Sequence, residues 1–120
     1  MQLELVRKLI GMHVERILGE VFPDETGAAR LQQVGLFTLI FMLQGGKEPV
    51  TAVRLSEITG QSESQVHKQL QKLLKVGVIE RKPILNRRGR SRAYHLSIKE
   101  NEKSKRLLQA IGKAAAGRRR

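Results

Sequence analysis

Apolar side chains recur every three or four residues through the first part of the chain, and this period predicts two helices. The first covers residues 2–20 and the second residues 26–44, with Pro23 between them and Gly45 at the end. The stripe of the first helix is wider than one small core face requires, so it indicates either a buried core helix or a helix that forms a dimer. The second helix is apolar nearly all round, which is typical of a central, buried helix.

Two shorter amphipathic segments follow, joined by a turn that contains glycine. Residues 51–60 are predicted to form a third helix with Thr51 as its N-cap. A fourth helix begins at Ser62, which has the spacing of a capping box with Gln65, and it ends at Gly77. Two short helices with a glycine-containing turn between them are typical of a helix-turn-helix motif.

An alternation of apolar and polar positions then predicts a β-hairpin directly after the helix-turn-helix. Its strands cover residues 78–85 and 90–96, and residues 86–89 form the turn. A last helix is predicted over residues 98–115, and residues 117–120 form a basic tail.

The complete pattern predicts a mainly α fold with a small β-hairpin, which is a winged helix-turn-helix with flanking N- and C-terminal dimerisation helices. A length of 120 residues favours a single domain over residues 1–120. The helix-turn-helix and the wing occupy residues 51–97. Residues 1–22 and 98–116 are expected to form the dimerisation helices, so the sequence predicts a homodimer.

The excess positive charge of the chain is confined to its last third. The formal net charge is +12, yet residues 1–80 hold nine basic and nine acidic residues, so the whole excess lies in residues 81–120. This asymmetry indicates a polyanion partner, with nucleic acid first and an acidic membrane second. Aromatic residues, on which single-stranded nucleic acids stack, make up 3% of the chain, and their scarcity favours double-stranded DNA.

Several classes of protein are disfavoured by what the sequence lacks. There is no cysteine, which excludes disulfides, thiolate chemistry and cysteine zinc sites. The longest apolar run, residues 36–43, is far shorter than the ~20 residues that a membrane span needs. Charged residues interrupt the apolar start of the chain, unlike a signal peptide. We therefore expect a soluble, cytoplasmic protein with no membrane partner.

Polar and basic side chains on the outward face of the fourth helix are the first candidates for contacts with DNA. Serine and glutamine can hydrogen-bond base edges, and lysine can neutralise phosphates or meet guanine. An ordinary solvated helix face has much the same composition, so this face alone does not decide the function. The candidates are Ser62, Ser64, Gln65, His67, Lys68, Gln71 and Lys72, together with Thr51 at the start of the third helix.

A second group of candidates lies in the predicted wing, where arginines crowd around Gly89. Such crowding is unfavourable unless an anion relieves it, and a narrow minor groove lined by phosphates is a suitable anion. The alternative interpretation is a charge run that keeps the protein in solution. The group consists of Arg87, Arg88, Arg90 and Arg92.

The segment from residue 51 to residue 81 resembles the helix-turn-helix of the MarR family of transcription regulators. A threonine starts the first helix of the pair, Leu55 follows four residues on, and Ser62 caps the second helix. A Leu-x-x-x-Gly-hydrophobic segment that includes Gly77 leads into the wing. The resemblance covers roughly residues 30–100, and it implies a winged-helix fold and binding to DNA.

The resemblance also implies a DNA-binding role for one wing arginine. The chain departs from the family pattern in three ways. The family's Asp-x-Arg motif falls on residues 86–88, so its arginine corresponds to Arg88, whereas Asn86 replaces the aspartate. The terminal helices are shorter than is usual in the family. Nothing marks the small-molecule pocket that many members have, so an effector stays unknown.

Catalytic chemistry finds no support in the residue pattern. His13, His67 and His95 lie at no metal-ligand spacing, and His13 is interpreted as a packing or interface residue. No acidic pair and no nucleophile-and-base pair is recognisable. We expect a protein that is not an enzyme and that has no cofactor and no metal.

The leading hypothesis is a homodimeric transcription regulator that binds double-stranded DNA in a sequence-specific way. One alternative is an architectural or replication-related protein that binds DNA with little sequence choice, which the basic tail would suit. Another is a winged-helix module that docks onto an acidic protein partner.

Overall fold

The computed structural model describes residues 2–20, 22–85 and 91–117. Within these residues the chain forms five helices and one antiparallel two-stranded sheet, in the order of a winged helix-turn-helix. The predicted mainly α fold with a small β-hairpin, arranged as a winged helix-turn-helix, is confirmed. The elements are α1 (Gln2–Gly19), α2 (Gly27–Leu43), α3 (Ala52–Thr59), α4 (Glu63–Val76), β1 (Ile79–Leu85), β2 (Ser91–Ile98) and α5 (Glu102–Gly117).

The boundary between the hairpin and the last helix differs from the sequence prediction. The sequence places the start of that helix at residue 98, but β2 continues to Ile98 and α5 begins only at Glu102. Ile98 is buried and pairs with Ile79, so burial extends the strand. Asn101 then caps α5, because its Oδ1 accepts the N–H of Ser104 at 2.8 Å and its own N–H donates to Ser104 Oγ at 2.7 Å.

Short-range hydrogen bonds fix the ends of the helix-turn-helix. Thr51 Oγ1 accepts a backbone N–H three residues on, at 3.1 Å. Ser62 Oγ accepts the N–H of Gln65 at 3.2 Å and Gln65 Oε1 accepts the N–H of Ser62 at 3.4 Å, which confirms the predicted capping box. Gly60 and Gly77 end the two helices with positive φ angles of 76° and 84°, a region that favours glycine.

An apolar core joins α2 to the helix-turn-helix and the hairpin. Phe37 and Ile40 of α2 are fully buried, but Leu31 and Met42 on the same helix are 71% and 70% exposed. The prediction of a central, buried helix is therefore right for the side of α2 that carries the core and wrong for the side with Leu31 and Met42, which faces solvent. No helix among the described residues is long and apolar enough to cross a membrane. The core also includes Leu55, Val66, Leu70, Leu73, Val78 and Leu96.

α1 packs against α5 and α2 along a line that contains a histidine. Leu9, His13 and Ile17, spaced four residues apart, are all buried. The His13 ring stacks on Phe37 with 5.0 Å between ring centroids, and its Nδ1 donates to the carbonyl of Leu9 at 2.9 Å. His13 is thus a packing residue, one of the two roles that the sequence predicts. Leu3, by contrast, is 74% exposed.

The hairpin is held against the start of α3 by the backbone that precedes this helix. β1 and β2 pair from Ile79 opposite Ile98 onward. Leu96 N–H donates to the carbonyl of Val50 at 2.8 Å, and Val50 N–H donates to His95 Nδ1 at 2.9 Å. These two bonds fix the base of the wing beside the helix-turn-helix.

Candidate nucleic-acid interface

α4 presents one continuous polar face to solvent. Its inner side is anchored by Val66, Leu70 and Leu73, which are buried in the core. On the opposite side, four exposed residues recur at helical spacing, so they lie on one face of the helix. They are Ser64, Lys68, Gln71 and Lys75. The first three are among the contacts predicted from the sequence. Lys75 is not, although the 3.6-residue period that places the others also reaches this last turn.

The charge on this face is positive and has no acid to offset it. Residues 64–79 include no aspartate or glutamate, and two of their three lysines, Lys68 and Lys75, lie on this exposed face. The one acid of the helix, Glu63, lies in the first turn, where a carboxylate complements the positive end of the helix dipole. The exposed face of α4 is therefore suited to an anionic partner.

The two residues of the capping box differ in what they leave free. The Ser62 hydroxyl accepts a backbone N–H within the helix terminus, so it first serves the fold. Gln65 is exposed and uses only its carbonyl oxygen in the cap, at 3.4 Å, while the NH₂ group of the same amide takes no part in that bond. Gln65 thus combines a fixed side-chain carbonyl with donors that can meet a base edge.

Lys72 has a different environment from Lys68, although the two are one helical turn apart. Lys68 is exposed, whereas the Lys72 side chain is only 17% exposed. Lys72 Nζ lies 3.5 Å from the buried Glu25 Oε2 and 5.9 Å from the centre of the Phe22 ring. The structure therefore gives this lysine partners within the protein.

A cleft of about 270 Å³ separates α4 from the hairpin. Its apolar wall includes Leu70 and Leu96, and the polar residues that line it include His67, Arg81 and one acid, Glu63. The Arg81 guanidinium carbon lies 4.6 Å from the centre of the Tyr94 ring, a cation–π contact that holds a charge on the hairpin beside α4. Arg81 is not among the contacts predicted from the sequence, because a charged residue on a strand gives no sign of which element it will face.

Of the remaining predicted DNA contacts, the structure describes Thr51 but not the side chains of the wing arginines. Thr51 lies at the edge of this cleft, but its hydroxyl oxygen is already the N-cap acceptor of α3. Arg87, Arg88 and Arg90 lie outside the described residues. Arg92 belongs to β2, and its side chain is likewise outside the description.

The other histidines and acids of the described residues do not assemble into a metal site. Among the residues that the structure describes, no group of three or more histidine, cysteine, aspartate or glutamate side chains could hold a metal ion. His95 Nδ1 accepts the N–H of Val50, so this histidine is tied to the base of the wing. His67 is exposed beside the cleft.

Two solved structures of transcription regulators resemble the fold. The first is a possible transcriptional regulator from Methanosarcina mazei Go1, with a TM-score of 0.49 and 17% identity over 94% of this chain and 81% of that chain. The second is a MarR family transcription regulator, with a TM-score of 0.44 and 18% identity over 96% of this chain and 66% of that chain. The sequence matches no protein-family model and no curated protein.

Proposed function

We propose that this protein is a transcription regulator that binds double-stranded DNA as a homodimer, with α4 as the recognition helix. The observation that carries the proposal is the acid-free exposed face of α4, on which Ser64, Lys68, Gln71 and Lys75 share one side. This combination can both read base edges and neutralise phosphates. The N-terminal turn of α4 includes Ser64 and Gln65. In helix-turn-helix proteins, this part of the recognition helix contacts the bases.

The hairpin supplies the second part of the proposed contact. In this proposal the cleft between α4 and the hairpin faces the DNA backbone, and Arg81 at its rim contributes a positive charge. Arg88 and its neighbours in the wing meet the minor groove or its phosphates, as their sequence pattern indicates. Phosphate contacts of this kind fix the position of the protein, and base contacts of α4 select the sequence.

A homodimer is the proposed assembly because α1 leaves two apolar side chains in solvent. α1 packs on α5 within one chain, yet Leu3 and Leu18 of α1 stay 74% and 41% exposed. A second copy of the α1–α5 pair would cover them. Two recognition helices related by a two-fold axis then address half-sites about one turn of DNA apart.

The salt dependence of DNA binding tests the proposal. Affinity for a random duplex and for the DNA upstream of the protein's own gene is measured between 50 and 200 mM salt. A dimer with ~6–10 phosphate contacts should lose ~10³–10⁵ in affinity over this range. Lys68→Ala and Arg88→Ala should each reduce the slope by about one contact per protomer. Lys8→Ala, at an exposed position on α1, is the matched control and should leave the slope unchanged.

The same titrations separate the proposal from its alternative. The +12 charge is also the property of a protein that coats DNA with little sequence choice. Equal affinity for every duplex would favour that architectural role. Absence of binding even at low salt would overturn DNA binding altogether and leave docking onto an acidic protein.

A further inference from the structure

The short segment between α1 and α2 holds the side chain of Lys72 on α4. Phe22 and Glu25 of this segment lie on either side of a turn closed by a 3.2 Å bond from Glu25 N–H to the Phe22 carbonyl. Asp24 within the turn has a φ of 61°, a conformation that aspartate tolerates better than most residues. The turn brings a carboxylate to 3.5 Å and an aromatic ring to 5.9 Å from the same ammonium group.

The buried negative charge of Glu25 has the Lys72 ammonium group as its countercharge. The Glu25 side chain is 0% exposed. Its Oε1 accepts Gln33 Nε2 at 3.1 Å, while its Oε2 accepts no hydrogen bond from the residues that the structure describes and faces only the 3.5 Å ion pair with Lys72. A buried carboxylate without a countercharge is strongly unfavourable.

A second link between the same parts runs through Gln33. This glutamine of α2 is 0% exposed, and its Nε2 also donates to Gln69 Oε1 at 3.0 Å. Gln69 lies three residues before Lys72 on α4, so both face the side of the helix that meets Glu25. One buried carboxylate thus connects α4 to the α1–α2 turn directly and through a glutamine.

On the basis of the proposed DNA-binding function, we propose that Glu25 withholds Lys72 from the DNA. The Glu25 carboxylate, rather than a DNA phosphate, is the anionic partner of the Lys72 ammonium group. Lys72 is therefore a positioning residue that fixes the orientation of α4. A move of Lys72 toward a phosphate would leave Glu25 buried and unpaired, so binding to DNA does not draw the lysine away. Lys68, one turn earlier and exposed, remains the phosphate contact of this side of the helix.

Salt slopes of DNA binding test the assignment with charge-matched variants. Glu25→Gln frees Lys72, and the slope should steepen by about 0.9 per protomer, the value for one added phosphate contact. The double variant Glu25→Gln/Lys72→Gln keeps the net charge of the wild type and should keep its slope. Glu15→Gln, at an exposed acid on α1, raises the net charge as much as Glu25→Gln but should not change the slope.

Two results would overturn the inference. A double variant whose slope is shallower than the wild type by about 0.9 per protomer would mean that Lys72 already meets a phosphate. If Glu15→Gln and Glu25→Gln steepen the salt slope equally, the change in slope comes from net charge alone and not from a freed Lys72. Lys68→Gln serves as the positive control and should show the loss of one contact.

Thermal unfolding without DNA tests the pair separately from the proposed function. The loss in Tm of Lys72→Gln should exceed that of the double variant, because the single change leaves the carboxylate buried without its partner. Additive losses would show that Lys72 and Glu25 are not coupled, and the inference would fail even for a protein that binds DNA. A wild type that binds no duplex but shows the coupling would refute the proposed function and leave the pair as a structural clamp.

Discussion

Arg16 on α1 donates a 2.7 Å hydrogen bond from Nη2 to the backbone carbonyl of Val76, the last residue of α4. The final carbonyls of a helix lack partners within the helix and carry partial negative charge. A guanidinium group donates a hydrogen bond to such a carbonyl and also supplies a positive charge. α1, which we propose as part of the dimer contact, is thereby joined to the proposed recognition helix.

Replacement of Arg16 by alanine should lower the free energy of unfolding by about 1–2 kcal/mol, because the Val76 carbonyl loses a charged donor. Chemical denaturation at neutral pH measures the change. Arg7→Ala removes an exposed arginine from the same helix and should cost no more than about 0.5 kcal/mol. Equal losses in the two variants would show that the bond to Val76 contributes nothing.

The features that the sequence predicts well are those that neighbouring residues decide. The capping box of Ser62 and Gln65 and the end of α4 at Gly77 depend on residues within a few positions, so their spacing is visible in the chain. The sequence places the start of α5 four residues too early, because the burial of Ile98 depends on its partner Ile79, 19 positions earlier in the chain.

The candidate site shows the same division between local and distant causes. The exposed face of α4 follows from the helical period, and Lys68 lies where this period places it. The period also put Lys72 on the outward side, but its pair with Glu25 joins residues 47 positions apart. A distant ion pair leaves no periodic trace, so the sequence could not distinguish the two lysines.

Ser62→Ala should destabilise the protein by about 1 kcal/mol, because the N–H of Gln65 loses its acceptor at the start of α4. Ser64→Ala is the matched control two residues later, at an exposed position. It should stay within about 0.5 kcal/mol of wild-type stability. Thermal or urea unfolding measures both variants. If Ser64→Ala were the more destabilising of the two, the capping role of Ser62 would be wrong.

The proposed homodimer predicts a sedimenting species of twice the 13.5 kDa chain mass at micromolar concentration. Leu3→Lys should shift this species to the monomer without loss of helicity, because the side chain is 74% exposed within one chain and its replacement disturbs no core. Leu31→Lys, at a position 71% exposed on α2, is the control and should leave the dimer intact. A wild-type monomer, or dissociation by Leu31→Lys alone, would contradict a contact through α1.

Gln65→Ala should relax the sequence preference of the protein without a general loss of DNA binding. Gln65 is exposed in the first turn of α4, and its amide donors remain outside the capping bond, so they can meet a base edge. Loss of one hydrogen bond from these donors to a base edge corresponds to about 0.5–1.5 kcal/mol of discrimination between the preferred and a random duplex. The measurement is the affinity of wild type and variant for both duplexes at two salt concentrations. Lys68→Ala provides the contrast, because the loss of a phosphate contact should weaken binding to both duplexes alike. If Gln65→Ala also weakens both equally, Gln65 positions the helix through its cap, and the base contacts belong to Ser64 or His67.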